Sequence, residues 1–107
     1  MDKAELTRRI EAGTFAVDNG RVLRTINILQ GHDIKLHSLQ YALPDIPSGT
    51  LSESLFYLQD AGYIRARDTV NHTHADVTGM KETTAVRLTA KGIQLLKGYV
   101  SDPAVKV

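Results

Sequence analysis

The sequence has 107 residues and no cysteine; 42% of the residues are hydrophobic, 23% are charged, and the formal net charge is +1. This length suits one domain with one core, the composition excludes a disordered chain, and the lack of cysteine excludes a disulfide framework, a thiolate metal site and a cysteine nucleophile. A net charge this small does not by itself identify a protein that binds nucleic acid.

The first predicted element is an N-terminal arm or short helix over residues 1–17. Asp2 and Glu5 have the spacing of a capping box, which typically opens a helix. Residues 13–14, Gly-Thr, are expected to interrupt this helix, and residues 18–20, Asp-Asn-Gly, offer cap and turn chemistry before the next apolar pattern. The alternation of charged and apolar residues at this end is not typical of a secretory signal or a membrane span. We therefore expect a cytoplasmic protein without a membrane partner.

Three amphipathic helices are predicted next, because apolar residues recur at spacings of three and four. They cover residues 21–30, 36–43 and 48–61. Gly31 and Gly62 supply the left-handed conformation that ends the first and third helices, and Pro44 ends the second.

The pattern changes to alternation over residues 63–70, which predicts a strand, and residues 83–89 are its expected hairpin partner. The polar residues between them, 71–82, are predicted to form a long mobile loop. Thr89 is expected to cap a last helix that extends to residue 100, before a C-terminal tail over residues 101–107.

The excess of positive charge lies in this second half of the chain. Residues 1–62 contain six lysines and arginines against eight aspartates and glutamates, whereas residues 63–100 contain six against three. A concentrated basic surface, more than the total charge, is what a polyanion partner requires. The predicted hairpin is therefore the candidate for such a surface.

The order of elements over residues 18–100 predicts a mainly α domain with a small β-hairpin. This is the arrangement of a winged helix-turn-helix, with a three-helix core, a two-stranded wing and a C-terminal helix. Two motifs resemble PadR- and MarR-type winged-helix regulators, and the opening of the first core helix resembles IclR-type domains. The motifs are Gly49-Thr50-Leu51 with Leu55, Leu58 and Ala61-Gly62-Tyr63-Ile64; the run from Val86-Arg87-Leu88-Thr89 to Leu96; and, for the IclR type, Arg21-Val22-Leu23-Arg24 through Gly31-His32.

The resemblance implies a small transcription regulator that binds double-stranded DNA in a sequence-specific way, with the helix over residues 48–61 in the major groove. A helical wheel with the leucines inward places Glu53, Phe56 and Tyr57 outward. This helix contains no lysine or arginine, so hydroxyl groups near its start and basic residues elsewhere are expected to contact phosphates. The candidate DNA-contacting residues are Lys35, Ser48, Thr50, Ser52, Glu53, Tyr57, Arg65, Arg67, Lys81 and Arg87.

Two other interpretations of the same residues stay open. Aromatic side chains beside Glu53 and Asp60 suit a protein partner, so the chain is alternatively an adaptor, of phage or mobile-element origin, that binds another protein through Phe56 and Tyr57. In the other interpretation the N-terminal segment folds back over these two rings, and the basic residues of the hairpin form an ordinary solvated surface.

Enzymatic activity is not expected. His72, His74 and Asp76 alternate in a way that presents three metal ligands on one side of a strand, but a loop gives them no fixed geometry, so we predict no metal site and no cofactor. The sequence contains no glycine-rich phosphate loop and no nucleophile at a fixed spacing from a base.

A homodimer is predicted, because a two-fold symmetric protein matches a palindromic DNA site. Leu6, Ile10 and Phe15 of the N-terminal arm, together with the last helix, are the expected dimer contacts.

Overall fold

The computed structural model describes residues 2–31 and 33–107. Met1 and His32, which belong to the predicted N-terminal arm and to the IclR-like segment, lie outside the described residues. In the described ranges the chain forms four helices and one four-stranded antiparallel sheet around a shared core. In chain order the elements are α1 (Lys3–Leu29), β1 (Ile34–Lys35), α2 (Leu36–Ala42), α3 (Ser48–Asp60), β2 (Ile64–Asp68), β3 (His74–Ala75), β4 (Thr84–Leu88) and α4 (Ala90–Leu96).

Helix α1 is continuous over its 27 residues, so the predicted interruption at residues 13–14 is wrong. The predicted start of the helix is confirmed, because the Asp2 side chain accepts a hydrogen bond from the Glu5 backbone N–H at 2.7 Å. Thr14 does not break the helix, since its hydroxyl donates to the Ile10 carbonyl one turn earlier. A glycine inside a helix costs only about 1 kcal/mol, which the packing of the rest of α1 outweighs.

Helices α2 and α3 lie where the apolar spacing places them. The predicted end of α3 at Gly62 is confirmed: its φ is +87°, and the Tyr63 N–H donates to the Leu58 carbonyl at 2.9 Å. Thr89 caps α4 as predicted, because its Oγ1 accepts from the Gly92 N–H at 3.1 Å. Helix α4 ends at Leu96, earlier than expected.

The sheet has the strand order β1-β4-β2-β3, and β2 and β4 form the predicted hairpin. The sequence pattern does not predict the outer strands β1 and β3. Strand β1 pairs with β4, and β3 lies inside the segment predicted to be a loop. The rest of that segment is also held in place, because Val77 is buried and its N–H donates to Oε1 of Gln59 on α3 at 3.0 Å.

The core lies between the helices and one face of the sheet. Leucines of α3 pack in it with Ile64, Ala66 and Val86 of the sheet, and α1 packs against both α3 and β4. Burying each large apolar side chain contributes roughly 1.5–3 kcal/mol. No helix in the described part of the chain is long and apolar enough to cross a membrane.

The C-terminal tail, residues 101–107, packs on α1 and is not released as the sequence suggested. The Lys106 N–H donates to the Ala16 carbonyl at 2.9 Å, and the Arg24 guanidinium donates to the Lys106 carbonyl at 3.0 Å. Val105 is only 3% exposed and belongs to the core. The tail is therefore part of the folded domain.

This contact also explains why the predicted turn at residues 18–20 is wrong. Asn19 is fully buried, and its amide donates to the Ala104 carbonyl at 2.9 Å and accepts from the Ser54 hydroxyl at 2.6 Å. Gly20 leaves room for the tail, since a Cβ at this position would overlap the tail's backbone. Residues that commonly form turns serve here as a docking site inside a helix.

Candidate nucleic-acid interface

The outer face of the sheet gathers basic side chains from three strands. Residues directly opposite each other in an antiparallel pair point to the same side of the sheet. One outward row runs across all four strands, and a second, neighbouring row crosses β4 and β2. By register the first row is Lys35, Ala85, Arg67 and His74, of which Ala85 is buried, and the second is Arg87 and Arg65.

The basic side chains on this face form no ion pairs with the described carboxylates. Within residues 2–31 and 33–107 the ion pairs are Glu5–Arg9 and Asp45–Arg21, so no carboxylate lies within 4 Å of the guanidinium groups on the sheet. The hydrogen bond from Arg21 holds the pKa of Asp45 below its ordinary value. We call Lys35, Arg65, Arg67 and Arg87 the basic face.

Three carboxylates near the basic face, those of Asp33, Asp68 and Glu82, leave it positive; Glu82 lines a hollow with Lys35 and Lys81. Asp33 lines a hollow together with Arg67 and Arg87. By register Asp68 belongs to the inner side of the sheet. Its carboxylate accepts hydrogen bonds from the backbone N–H groups of Val70 and Asn71. These two hydrogen bonds hold the pKa of Asp68 below its ordinary value. Four cationic side chains therefore outnumber the acidic groups around them.

Helix α3 has acidic surroundings on one side. Thr50 and Glu53 line a hollow with residues from the first half of α1. Helix α1 contributes Glu11 and Asp18 to this hollow, and Arg8 is the basic residue of its lining. A phosphate entering this space would meet more negative than positive charge.

On its other side α3 faces the segment that follows β3. Phe56, which is 54% exposed, lines an apolar groove of about 610 Å³ with Val77 and Met80. Ser52 also lies along this groove. Helix α3 is thus flanked on both sides by other parts of its own chain.

Tyr57 does not face outward, so this part of the helical-wheel prediction is wrong. Its ring packs edge-on against Phe15 of α1, with centroids 5.3 Å apart, and its hydroxyl donates to Asp102 at 2.8 Å. Burial, together with this hydrogen bond, raises the pKa of Tyr57. The interpretation in which the N-terminal segment covers the aromatic pair holds for Tyr57 and not for the exposed Phe56.

Asp102 joins the tail to the rest of the domain. It accepts hydrogen bonds from the hydroxyls of Tyr57 and Tyr63, at 2.8 and 2.7 Å, and from the Ala104 N–H. Although partial burial opposes its ionisation, these hydrogen bonds hold the pKa of Asp102 below its ordinary value. Burial raises the pKa of Tyr63 above its usual range, so both tyrosines stay neutral donors.

The structure divides the predicted DNA-contacting residues into two groups. Lys35, Arg65, Arg67 and Arg87 share the outer face of the sheet, and Lys81 lines a hollow beside Lys35. The remaining candidates are on α3: Ser48, Ser52 and Glu53 are exposed, Thr50 lines the hollow beside α1, and Tyr57 is turned toward the tail.

Sequence reasoning missed the roles of Asn19, Ser54 and Asp102. Asn19 and Ser54 occupy inward positions of their helices, where an apolar residue is expected. A polar residue at such a position is the signal that could have revealed their buried roles. His72, His74 and Asp76 do not converge: among the described residues no group of three histidine, aspartate or glutamate side chains is placed to hold a metal ion.

Comparisons of the chain with protein-family models, with curated proteins and with solved structures found no match. The resemblance of its motifs to PadR-, MarR- and IclR-type regulators therefore stays a prediction.

Proposed function

We propose that the chain is a winged-helix-type domain that binds double-stranded DNA and acts as a small transcription regulator. The order of elements supports this fold: α1, α2 and α3 precede the β2–β4 hairpin, and α4 follows it. Strand β1, which lies between α1 and α2 in the chain, pairs with β4 and so ties the hairpin to the helices.

The observation that carries the proposal is the basic face. Arg65 and Arg87 lie directly opposite each other on neighbouring strands. Like charges in this position destabilise a sheet, so stability does not explain the pair. A polyanion does explain it, because phosphate groups would neutralise both guanidiniums and release counterions.

The chemistry of this surface favours a duplex over a single strand. Proteins that bind single-stranded nucleic acid stack bases on aromatic side chains. The two outward rows contain no phenylalanine, tyrosine or tryptophan. Their cations suit the regular phosphate backbone of a double helix.

Fluorescence anisotropy with a labelled duplex of about 30 base pairs, at several salt concentrations, tests the proposal. We expect binding that weakens steadily as salt rises, because each phosphate contact releases counterions. A single strand of the same sequence should bind more weakly. Absence of duplex binding at about 50 mM salt, a concentration at which such contacts are strong, would contradict the proposal.

Arg9→Gln supplies a control for charge alone. Arg9 lies on the first half of α1, and its ion pair with Glu5 is exposed. At about 1.5 Å of helix per residue it is about 30 Å from the end of α1 near the sheet. This variant removes one positive charge and should leave the affinity for DNA within about twofold, since an exposed ion pair contributes little to stability.

A protein adaptor is the second candidate, favoured by the exposure of Phe56 over its apolar groove. Aromatic side chains in such grooves commonly anchor protein partners. In this case Phe56→Ala should abolish partner binding, while the protein fails to bind a broad DNA library even at low salt. Tyr57 does not belong to this surface, since its hydroxyl is bonded to Asp102.

We further propose a homodimer through the first half of α1. Leu6 and Ile10 are 49% and 61% exposed, and Val17 continues the same helical stripe. Phe15, expected at this interface, packs on Tyr57 instead. Analytical ultracentrifugation should show a dimer that Ile10→Asp converts to a monomer; a wild-type monomer at about 100 µM would contradict this part of the proposal, because association follows mass action.

A further inference from the structure

We infer that the duplex lies on the outer face of the sheet, that α3 stays outside the major groove, and that binding is directed mainly to the phosphate backbone. This inference rests on the proposed DNA-binding function and names the surface that performs it. It departs from the expectations that α3 is the element inserted into DNA and that binding is sequence-specific.

The outer face of the sheet and helix α3 lie on different sides of the core. The inward side chains of the sheet, such as Ile64 and Val86, and the leucines of α3, such as Leu55, belong to one core. The outer face of the sheet and the exposed face of α3 therefore point away from that core on different sides. A duplex that rests on one of these surfaces does not rest on the other.

The two surfaces also differ in charge. Helix α3 contains no lysine or arginine and exposes Glu53 and Asp60. Glu11 and Asp18 of α1 lie across the hollow from Glu53. These carboxylates repel phosphates, whereas the basic face attracts them.

The neighbours of α3 also affect whether this helix can enter a groove of DNA. The major groove admits a helix that projects from its surroundings. Helix α3 is bordered by the first half of α1 on one side and by residues 77–80 on the other. Both surfaces carry exposed side chains, such as Ser52 and Phe56 on α3 and Arg65 and Arg67 on the sheet, but only those of the sheet are cationic.

The spacing of the basic side chains on the sheet suits a groove of DNA. Neighbouring strands lie about 4.8 Å apart, so Lys35 and Arg67, which are two strands apart in the same row, are separated by about 10 Å. This is close to the width of the major groove, about 12 Å. Lys35 and Arg67 are therefore spaced so that each can contact one of the two phosphate strands that border a groove.

Backbone contacts of this kind carry little sequence information. With four cations engaged, the logarithm of the binding constant should fall against the logarithm of the salt concentration with a slope of about −3.6. Affinities for unrelated duplexes of equal length should agree within about tenfold. This is the behaviour of an architectural or sequence-tolerant DNA-binding protein.

Two matched double variants test the inference in the same anisotropy assay. Arg65→Gln with Arg87→Gln changes the sheet, and Ser52→Ala with Glu53→Ala changes the exposed surface of α3. The first should weaken duplex binding at least tenfold and reduce the salt slope by about two, since each lost phosphate contact removes about one. The second should leave the affinity within about threefold or increase it, because it removes a carboxylate.

A folding defect in the sheet variant would not be mistaken for a loss of DNA binding. Arg65→Gln with Arg87→Gln removes a like-charge pair, so its melting temperature should equal or exceed that of the wild type. Arg65→Lys with Arg87→Lys keeps both charges and should retain most of the affinity and the full salt slope.

The outcomes distinguish failure of this inference from failure of the proposed DNA-binding function. Duplex binding that is lost in the α3 variant and kept in the sheet variant would overturn this inference and leave the DNA-binding function standing. A preference of about a hundredfold or more for one sequence would also overturn it. Wild-type protein that binds no duplex at about 50 mM salt would overturn both this inference and the proposed function. Stronger binding to single-stranded RNA than to duplex DNA would do the same.

Discussion

The junction between α1 and the C-terminal tail and the basic face of the sheet use polar residues in opposite ways. At the junction the buried polar groups have partners: Asn19 bonds to Ser54 and to the tail, and Asp102 accepts from two tyrosines. On the sheet, Arg65 faces Arg87, and no described carboxylate lies within 4 Å of either guanidinium. The polar residues of the junction are thus explained by folding, whereas those of the sheet have no ionic partner among the described residues, and our proposal of a DNA partner rests on them.

The strongest test of the junction is a change from Gly20 to Ala. The new Cβ would overlap the tail's backbone, so the tail must shift or detach. Loss of the burial of Val105 and of the bond to Asn19 should reduce the free energy of unfolding by about 3 kcal/mol. Urea denaturation measures this change.

Gly13→Ala is the matched control, because Gly13 lies in the same helix and a Cβ at this position would have no neighbouring atom within 4 Å. This variant should stabilise the protein by about 0.5–1 kcal/mol, the usual gain from replacing glycine by alanine in a helix. Equal effects of the two substitutions would show that the tail does not hold the helix.

Asn19→Ala should have the next largest effect. It leaves the Ser54 hydroxyl and the Ala104 carbonyl without their partner in a buried setting, at a cost of about 2 kcal/mol. A double-mutant cycle with Ser54→Ala, followed by urea denaturation, should give a coupling of about 1 kcal/mol between the two side chains. Strictly additive effects would contradict the hydrogen bond between them.

Asp102→Asn should destabilise the protein by about 1 kcal/mol at neutral pH, since it weakens two hydrogen bonds to a charged acceptor. The pKa of Asp102 is lowered in the folded protein. Its contribution is therefore complete above the unfolded pKa of about 3.9 and is lost as the pH falls through the lower folded pKa. The difference between wild type and variant, measured by urea denaturation from neutral pH down to about pH 2.5, should shrink below about pH 4; a constant difference would contradict this role.

The smallest effect is expected on the sheet. Arg87→Gln removes one member of the pair with Arg65 and should raise the free energy of unfolding by a few tenths of a kcal/mol. High salt should reduce this gain, because it screens exposed charges. Thermal unfolding at low and high salt measures the gain in stability and its dependence on salt. A marked loss of stability would mean that Arg87 has a structural role.

Much of the fold follows from local pattern. The apolar spacing of α2 and α3, the left-handed Gly62 and the Thr89 cap act within a few residues, so the sequence alone predicts them. Strands β1 and β3 have two residues each, which is too short for any alternation to show. Their existence depends on pairing with β4 and β2 from elsewhere in the chain.

The errors share a physical cause, which is contact over long sequence separations. Residues 18–20 have turn chemistry, and only the tail, 85 residues away from Asn19, turns that chemistry into a helical docking site. A helical wheel likewise cannot show that Phe15 covers Tyr57. The basic face was partly predictable, because charge composition located it in the second half of the chain, but only the strand register shows that Lys35 joins it.

The attachment of the tail to α1 has a consequence for the order in which this protein folds. The Asn19 amide meets Ala104 only after the 85 residues that separate them in the chain have been synthesised. Closing so large a loop is slow compared with forming local helices and hairpins. We therefore expect a nascent chain that reaches its helices early and completes its core in a late, separate step.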